Sequence, residues 1–302
     1  MGHSNKIAVG TASWTDKSLI QCGRFYPAGA KTAEDRLRYY ADEFPIVEVD
    51  SSYYAIPSEQ TARLWVERTP DDFVFDVKAF RLFTQHQTAP RVLPKYISES
   101  LPVSKKMVYY KDMPGELLSA LWNEFRAALM PLKQAGKLGV VLFQFPPWFL
   151  ANKSSLAHIE ECLERMSGFR LAVEFRNETW FYERSRDRTF AFEREHGIAH
   201  VVVDEPQGFA SSIPSVWEVT SPEIAVVRLH GRNRETWEKK GLAAASDRFN
   251  YLYSEDELAE LAGPIKSLSQ KAGTVHVLLN TNHQDQGQVN ARLLTNVLAK
   301  QS

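Results

Sequence analysis

The sequence has few cysteines, almost no surplus charge and no long apolar run, and each shortage excludes a class of protein. Only Cys22 and Cys162 are cysteines among 302 residues. Two cysteines are too few for the disulfide framework of a secreted domain, and they lack metal-ligand spacing. The formal net charge is -1. The protein therefore has no overall attraction for nucleic acid or an anionic membrane, and any anion binding must be local.

Signals for export, membrane insertion and common cofactors are also missing. The first residues, Met1–Lys6, lack the apolar core of a signal peptide, and no apolar stretch approaches the ~20 residues that span a bilayer. We therefore expect a soluble, cytoplasmic protein with no membrane association. No Gly-rich dinucleotide fingerprint, P-loop or serine nucleophile elbow occurs, so no organic cofactor is indicated. A metal site is not favoured either, because His230 stands alone near a strand end while His200 and His276 lie further back.

What the sequence does contain is eight short apolar runs, each followed by polar or ionisable residues. Runs rich in Val, Leu, Ile and Phe on both faces are typical of a parallel sheet that helices cover. Alternation of such runs with helical stretches predicts an α/β fold, a single (β/α)₈ barrel of the TIM type formed by residues 1–302. The predicted strands are Ile7–Gly10, Ile46–Asp50, Phe73–Lys78, Leu138–Gln144, Leu171–Glu174, Ala199–Asp204, Ala225–His230 and Thr274–Asn280.

Helix signals lie between most of these runs. Pro131 is expected to bend or end the third predicted helix, and Pro264 to disturb the sixth. Glu205–Glu223 shows no convincing helical pattern, so one of the eight helices should be short or missing. The Pro- and Lys-bearing segment Ala89–Gly115 is interpreted as an inserted loop and a candidate lid. The predicted helices are Thr32–Phe44, Ser58–Thr69, Leu117–Gln134, Ser155–Met166, Arg188–His196, Ser254–Ser269 and Val289–Leu298.

The polar residues at the strand ends predict a site at the barrel mouth, where active sites of this fold lie. Side chains two apart share a face of a strand, which groups Glu48 with Asp50, Glu174 with Arg176, and Arg228 with His230. Each residue alone is equally well explained as part of a buried ion pair. Together they form a candidate ligand site, with polar groups ending seven of eight strands: Lys78, Glu48, Gln144, Glu174, Arg176, Asp204, Arg228, His230 and Asn280.

Four of these residues are candidates for chemistry. Glu174 and Asp204 end neighbouring strands and are suited to general acid/base work, with His230 as a base or ligand contact. Lys78 is either an amine nucleophile or an anion contact. The alternative interpretation makes the two carboxylates anchors for arginines.

The remaining candidates are predicted to bind substrate. Arg228 and Arg232 lie in phase with His230 beside Gly231, in a loop where such barrels often hold phosphate. Among many loop aromatics, Trp14 and Tyr54 are the better candidates for ligand stacking. The predicted substrate-binding set is Trp14, Glu48, Tyr54, Gln144, Arg176, Arg228, Arg232 and Asn280.

Three functions fit these residues. The first is an enzyme that acts by acid/base chemistry on a small anionic, phosphate- or carboxylate-bearing, sugar-like substrate. The second is an enzyme that processes nucleotides or nucleic acid, with aromatic residues stacking on bases; the near-neutral charge argues mildly against it. The third is a non-catalytic binding or scaffold barrel, in which the polar mouth is a structural ion network.

Short sequence blocks in a fixed order along nearly the whole chain carry a resemblance to a known family. The blocks are Gly10–Trp14, Phe25–Pro27, Val47–Val49, Ser52–Tyr54, Pro57, Thr69–Pro70, Phe73, Lys78, Gln144–Pro147, Glu174–Arg176, Trp180, Asp204, Arg228–Arg232, Tyr253, Asn280 and Asn290. In these blocks the sequence resembles the YecE-like family, known as domain of unknown function 72. The resemblance implies a barrel of this type and supplies no activity. Two departures affect histidines that are common in the family: Asn177 follows Glu-Phe-Arg, and Gln85 separates Thr84 from His86.

Overall fold

Eight parallel strands form one closed barrel, with each strand bonded to the next and the last bonded to the first. The structure is a computed structural model, and it describes residues 7–101, 106–209, 211–239, 241 and 245–300. The predicted fold is confirmed, and each strand boundary lies within one residue of its prediction. The strands are β1 Ile7–Thr11, β2 Ile46–Val49, β3 Val74–Lys78, β4 Leu138–Gln144, β5 Leu171–Glu174, β6 Ala199–Asp204, β7 Ile224–Leu229 and β8 Thr274–Leu279.

Helices surround the barrel and follow every strand except β6. The described residues between β6 and β7 contain no helix, which confirms the predicted gap. Two six-residue helices, α1 and α4, were not predicted, because a segment of that length shows too little periodicity. The helices are α1 Lys17–Cys22, α2 Ala33–Glu43, α3 Glu59–Glu67, α4 Lys95–Ser100, α5 Gly115–Gln134, α6 Lys153–Arg165, α7 Glu183–Glu195, α8 Glu255–Lys271 and α9 Gln286–Lys300.

Local sequence signals set several helix ends. Ser58 caps α3, and Ser254 forms a capping box with Glu257 at the start of α8. Both prolines lie inside continuous helices: α5 extends three residues beyond Pro131, and α8 continues through Pro264. Pro264 is expected to disturb this helix, but α8 continues through it without interruption. Burial of apolar residues along the helix, at about 1.5–3 kcal/mol per large side chain, offsets the lost hydrogen bond.

The segment between β3 and α5 packs against the outer helices. Thr88 and Val108 form an antiparallel bridge, and residues 102–105 of the predicted inserted loop lie outside the described residues. Tyr96 donates to Glu124 of α5, and Tyr110 donates to Glu161 of α6. These contacts place the described part of this segment beside α5 and α6.

Candidate functional site

The upper part of the barrel interior is filled by side chains that meet one arginine. Residues paired in register face the same side of a sheet, and the register pairs Gln144 with Glu174. Arg228 is fully buried and reaches across the barrel to Glu48, which accepts two hydrogen bonds at 2.9 and 2.7 Å. Arg228 also donates to Glu174 at 2.5 Å and to Gln144 at 3.2 Å. The structure thus brings three of the predicted residues together around Arg228, itself the fourth.

His230 holds Glu174 in place from the end of β7. Its Nε2 lies 3.2 Å from Glu174 Oε1, and its Nδ1 lies 2.7 Å from the side-chain amide of Asn280. A carboxylate only accepts and an amide nitrogen only donates, so the neutral imidazole carries its proton on Nε2. Burial lowers the pKa of His230 to about 4. Near pH 7 the ring is therefore neutral, and with both nitrogens engaged it orients Glu174 and offers no free lone pair.

Two carboxyl groups meet at a single nitrogen of Arg176. Its Nη1 lies 3.2 Å from Glu174 Oε1 and 2.6 Å from Glu205 Oε2. The two carboxyl oxygens are therefore no more than about 5.8 Å apart. The other oxygen of Glu205 accepts from the backbone N–H of Ile213 at 2.7 Å. Sequence reasoning missed Glu205, because it follows the last residue of β6 and no pattern distinguishes it from Asp204.

Burial and neighbouring charges shift the pKa values of these two carboxyl groups in opposite directions. Burial raises the pKa of Glu205 to about 7, against the opposing effect of Arg176. Burial also disfavours the charged form of Glu174, but the neighbouring groups, chiefly Arg228, outweigh it and hold the pKa of Glu174 well below its usual range. The neutral His230 imidazole contributes only a hydrogen bond, so the positive charges of Arg228 and Arg176 account for most of the lowering of the Glu174 pKa. Near pH 7, Glu174 is ionised and Glu205 is partly protonated.

Lys78 ends β3 and pairs with Asp50. Its Nζ is 2.8 Å from Asp50 Oδ1. Burial opposes the charged ammonium, but the neighbouring carboxylates, chiefly Asp50 and then Glu48, together outweigh this effect, and the pKa of Lys78 is raised. The side chain is therefore an ammonium near neutral pH, which argues against the amine nucleophile. Burial raises the pKa of neighbouring Glu48 to about 7, with the Arg228 charge opposing that rise.

Asp204 and Arg232 lie apart from this network. The register pairs Asp204 with Leu229, one residue out of phase with Arg228, so its side chain faces the helices. Arg232 donates to Asp204 at 2.8 Å and to Glu257 at 3.3 Å, and the Tyr253 hydroxyl donates to Asp204 at 2.7 Å. The predicted pairing of Asp204 with Glu174 is therefore replaced by Glu205 with Glu174. Arg232 is held by the carboxylates of Asp204 and Glu257 and does not join the network around Arg228.

A lower layer of the barrel interior contains a second buried pair. His276 Nδ1 lies 2.9 Å from Asp76 Oδ2, and the backbone N–H of Val140 donates to Asp76 Oδ1 at 2.9 Å. Gly139 leaves room for this pair, since a Cβ there would lie 2.1 Å from Asp76 Oδ1. His200 lies outside the barrel, 3.4 Å from Glu193 of α7. Neither histidine joins the mouth, as their positions on the strands predict.

A cavity of about 290 Å³ opens at the mouth beside the Lys78–Asp50 pair. Tyr54 lines it with an aromatic side chain that is 53% exposed, whereas Trp14 is buried against Trp65 and Phe75 in the core. Of the two predicted aromatic contacts, Tyr54 lines this cavity and Trp14 does not. The lining residues are Ser13, Thr15, Asp16, Lys17, Asp50, Ser51, Tyr54, Phe249 and Asn282.

Two aromatic residues from the segment after β7 lie over the charge network. The Arg176 guanidinium is 5.2 Å from the Trp237 ring, and the Phe249 ring is 6.1 Å from His230. Phe249 also lines the cavity, so one ring borders both the cavity and His230.

The residues of the mouth do not form an evident metal site. Within the described residues, no group of three or more His, Cys, Asp or Glu side chains is placed to hold a metal ion. In the same part of the chain, no helix is long and apolar enough to cross a membrane.

The fold and the polar mouth define the class of this protein, a (β/α)₈ barrel whose strand ends carry a buried network of carboxylates and guanidinium groups. The chain belongs to the family described as "Protein of unknown function DUF72", whose model matches residues 8–302. This agrees with the resemblance noted in the sequence. The family description gives no activity.

Relatives and solved structures agree with this assignment. The chain is 34% identical over 279 residues to UPF0759 protein YunF of Bacillus subtilis, covering 91% of this chain and 89% of that protein. It is 26% identical to UPF0759 protein YecE of Escherichia coli K12 over 39% of this chain and 42% of that protein. A DUF72 protein from Thermotoga maritima superposes with a TM-score of 0.76 at 29% identity, covering 98% of this chain and 100% of that one. One from Enterococcus faecalis gives 0.78 at 25% identity, covering 97% and 95%.

Proposed function

We propose that this protein is an enzyme that performs acid/base chemistry on a small, anionic, sugar-like substrate at the barrel mouth. The observation that carries the proposal is the pair formed by Glu174 and Glu205 on one nitrogen of Arg176. One carboxyl is held ionised and the other has a pKa of about 7. Two neighbouring carboxyl groups with separated pKa values are the usual arrangement of a catalytic acid and its charged partner.

The roles follow from these protonation states. Glu205 carries the proton and donates it to a leaving or carbonyl oxygen. Glu174, ionised and held by Arg228 and His230, stabilises positive charge that develops on the substrate or removes a proton from it. His230 is a positioning residue for Glu174. Cleavage of a bond in a polyhydroxylated compound, by hydrolysis or elimination, needs one proton donor and one ionised carboxylate. We therefore propose a hydrolase or a lyase.

The cavity supports the sugar-like part of the proposal. Its lining combines hydroxyl, carboxylate and amide groups with one exposed aromatic ring, Tyr54. Polyhydroxylated rings bind such surfaces through hydrogen bonds on their edges and stacking on their faces. Its volume of about 290 Å³ suits a ligand of roughly one sugar ring.

A test uses neighbouring carboxylates as matched variants. Purified protein is incubated with a panel of sugar phosphates and sugar acids, and products are followed by NMR. Glu205→Gln should reduce turnover at least about 100-fold, the typical contribution of a general acid, and Glu174→Gln should do the same. Asp204→Asn, one residue away but facing the helices, should retain turnover. Equal losses in Glu205→Gln and Asp204→Asn would reject the assignment, and no turnover of any panel member would reject the substrate class.

The scaffold barrel is the second candidate, and one observation favours it. Arg228, Glu48 and Glu174 have no exposed surface and satisfy one another, as a purely structural ion network would. Under this alternative, Glu205→Gln changes stability, and no panel member shifts the NMR resonances of the mouth residues. Resonance shifts at Tyr54 and Phe249 on addition of a panel member would exclude it.

A further inference from the structure

One arginine at the mouth, which the sequence analysis did not select, lacks a carboxylate partner. Arg81 follows β3, and its guanidinium carbon lies 5.2 Å from the ring centroid of Tyr53. Its Nε is buried without a hydrogen-bond partner, and no described residue pairs with its guanidinium. Arg176, Arg228 and Arg232, by contrast, each contact a carboxylate. Arg81 thus has no carboxylate partner among the described residues, and its charge is available to a ligand.

The surroundings of Arg81 are positively charged. The ammonium of Lys78 lies 4.7 Å from the centroid of the same Tyr53 ring. The His86 ring is 5.3 Å from that ring. Burial first, then the charges of Lys78 and Arg81, lowers the pKa of His86 to about 3. The geometry therefore places two cations beside one tyrosine, and of the two Lys78 is paired with the carboxylate of Asp50.

Exposed aromatic rings flank this position on both sides. Tyr54, 53% exposed, lies 5.0 Å from Tyr53, and Trp148, 59% exposed, lies 5.8 Å from His86. Tyr54 also lines the mouth cavity, so the cation pair is adjacent to that cavity. An anionic ligand with a flat or ring-shaped body has a stacking surface on either side of the cations.

The backbone beside Arg81 is strained in a way that holds His86 in place. Gln85 has φ of 60°, a left-handed conformation that costs a residue other than glycine of order 1 kcal/mol. This turn brings His86 Nδ1 to 2.9 Å from Thr84 Oγ1 and lets the His86 N–H donate to the Arg81 carbonyl at 3.1 Å. Thr84 and His86 are therefore in contact despite the residue between them.

We propose that Arg81, beside the Lys78–Asp50 pair, binds the oxyanion group of a small organic phosphate or carboxylate whose ring lies against Tyr54 or Trp148. This inference rests on the proposed function in taking the mouth as the substrate site. It moves the anion-binding role from Arg228 and Arg232, which are held by carboxylates, to Arg81. Its chemistry is ion pairing alone and needs no turnover.

The test is calorimetric titration at constant ionic strength with inorganic phosphate, glucose 6-phosphate and glucuronate. Arg81→Ala should weaken binding at least about tenfold, as loss of one charged hydrogen bond would, and Arg81→Lys should restore part of it. Arg63→Ala is the matched control, because it removes the same charge from the exposed face of α3. Stronger binding of glucose 6-phosphate than of glucuronate identifies the oxyanion as phosphate, and the reverse order identifies a carboxylate.

Two further variants separate this inference from the proposed function. Trp148→Phe should weaken binding of the sugar phosphate and leave inorganic phosphate unchanged if that ring stacks on the ligand. Glu205→Gln should retain glucose 6-phosphate binding. If the wild type binds glucose 6-phosphate without turning it over, the proposed enzyme is refuted and the anion site is retained. Equal affinity of wild type and Arg81→Ala, or no binding of any of the three anions by the wild type, would overturn the inference.

Discussion

Removal of the Arg228 guanidinium should destabilise the protein more than any other loss of an arginine at the mouth. Arg228, Glu48 and Glu174 have no exposed surface, and the guanidinium donates to both carboxylates at distances of 2.5 to 2.9 Å. Arg228→Met fills much of the volume but leaves Glu48 without its bonded counter-charge and Glu174 with Arg176 alone. Breaking a buried pair in this way costs about 3–5 kcal/mol.

Protonation limits this loss and makes it depend on pH. Burial already raises the pKa of Glu48 to about 7, so without Arg228 this carboxyl takes up a proton readily. We therefore expect a loss of about 3–5 kcal/mol near pH 8 and a smaller one near pH 5.5, where Glu48 is neutral in the variant. Glu174 keeps Arg176 as a partner in both conditions.

Urea unfolding followed by circular dichroism measures this effect at both pH values. The control is Arg38→Met, which removes an exposed partner of Glu34 on α2 and should cost less than about 0.5 kcal/mol. The double variant Arg228→Met with Glu48→Gln should recover part of the loss, because one uncompensated charge is gone. A loss below about 1 kcal/mol at pH 8, or one equal to that of Arg38→Met, would refute the ion network as a stabilising feature of the barrel.

Two further predictions concern Glu205 and Gly139. Burial raises the folded pKa of Glu205 to about 7 from an ordinary 4.5, so the folded state binds the extra proton and stability falls as pH rises through this window. Glu205→Gln should reduce that slope in urea unfolding measured between pH 4.5 and 8, and the remaining slope belongs in part to Glu48, whose pKa is also about 7. A slope unchanged in the variant would show that Glu205 titrates normally. Gly139→Ala should cost about 1–3 kcal/mol, because the new Cβ would lie 2.1 Å from Asp76 Oδ1, whereas Gly263→Ala in α8 meets no atom within 4 Å and should be neutral or stabilising. Equal melting temperatures for the two alanine variants would contradict this packing argument.

The sequence was sufficient to predict the barrel because the fold depends on a repeated local pattern. Eight doubly apolar runs define the strands, and capping residues such as Ser58 and Ser254 define helix starts. The described residues between β6 and β7 contain no helix, and the sequence there shows no helical periodicity. The short helices α1 and α4 were missed for the same reason, since six residues carry too little periodic signal.

The sequence also predicted that Glu48, Glu174 and Arg228 meet at the mouth, since strand alternation fixes which face each residue occupies. The sequence did not determine which face the residues after a strand end occupy. Asp204 and Glu205 are adjacent acidic residues, and only the register between β6 and β7 decides that Asp204 faces the helices. A shift of one residue reverses the face, so no local pattern distinguishes the two.

Which charges are free is likewise a property of the tertiary structure alone. Arg81, Arg228 and Arg232 are equivalent as sequence letters, yet Arg228 and Arg232 are held by carboxylates from distant strands and helices. Arg81 lies on Tyr53 without such a partner. Pairing depends on side chains brought together from positions up to 180 residues apart, and their separations exist only once the barrel has closed. The sequence therefore determined the fold and the chemical character of the mouth, and the tertiary structure decided which of its charges are available to a ligand.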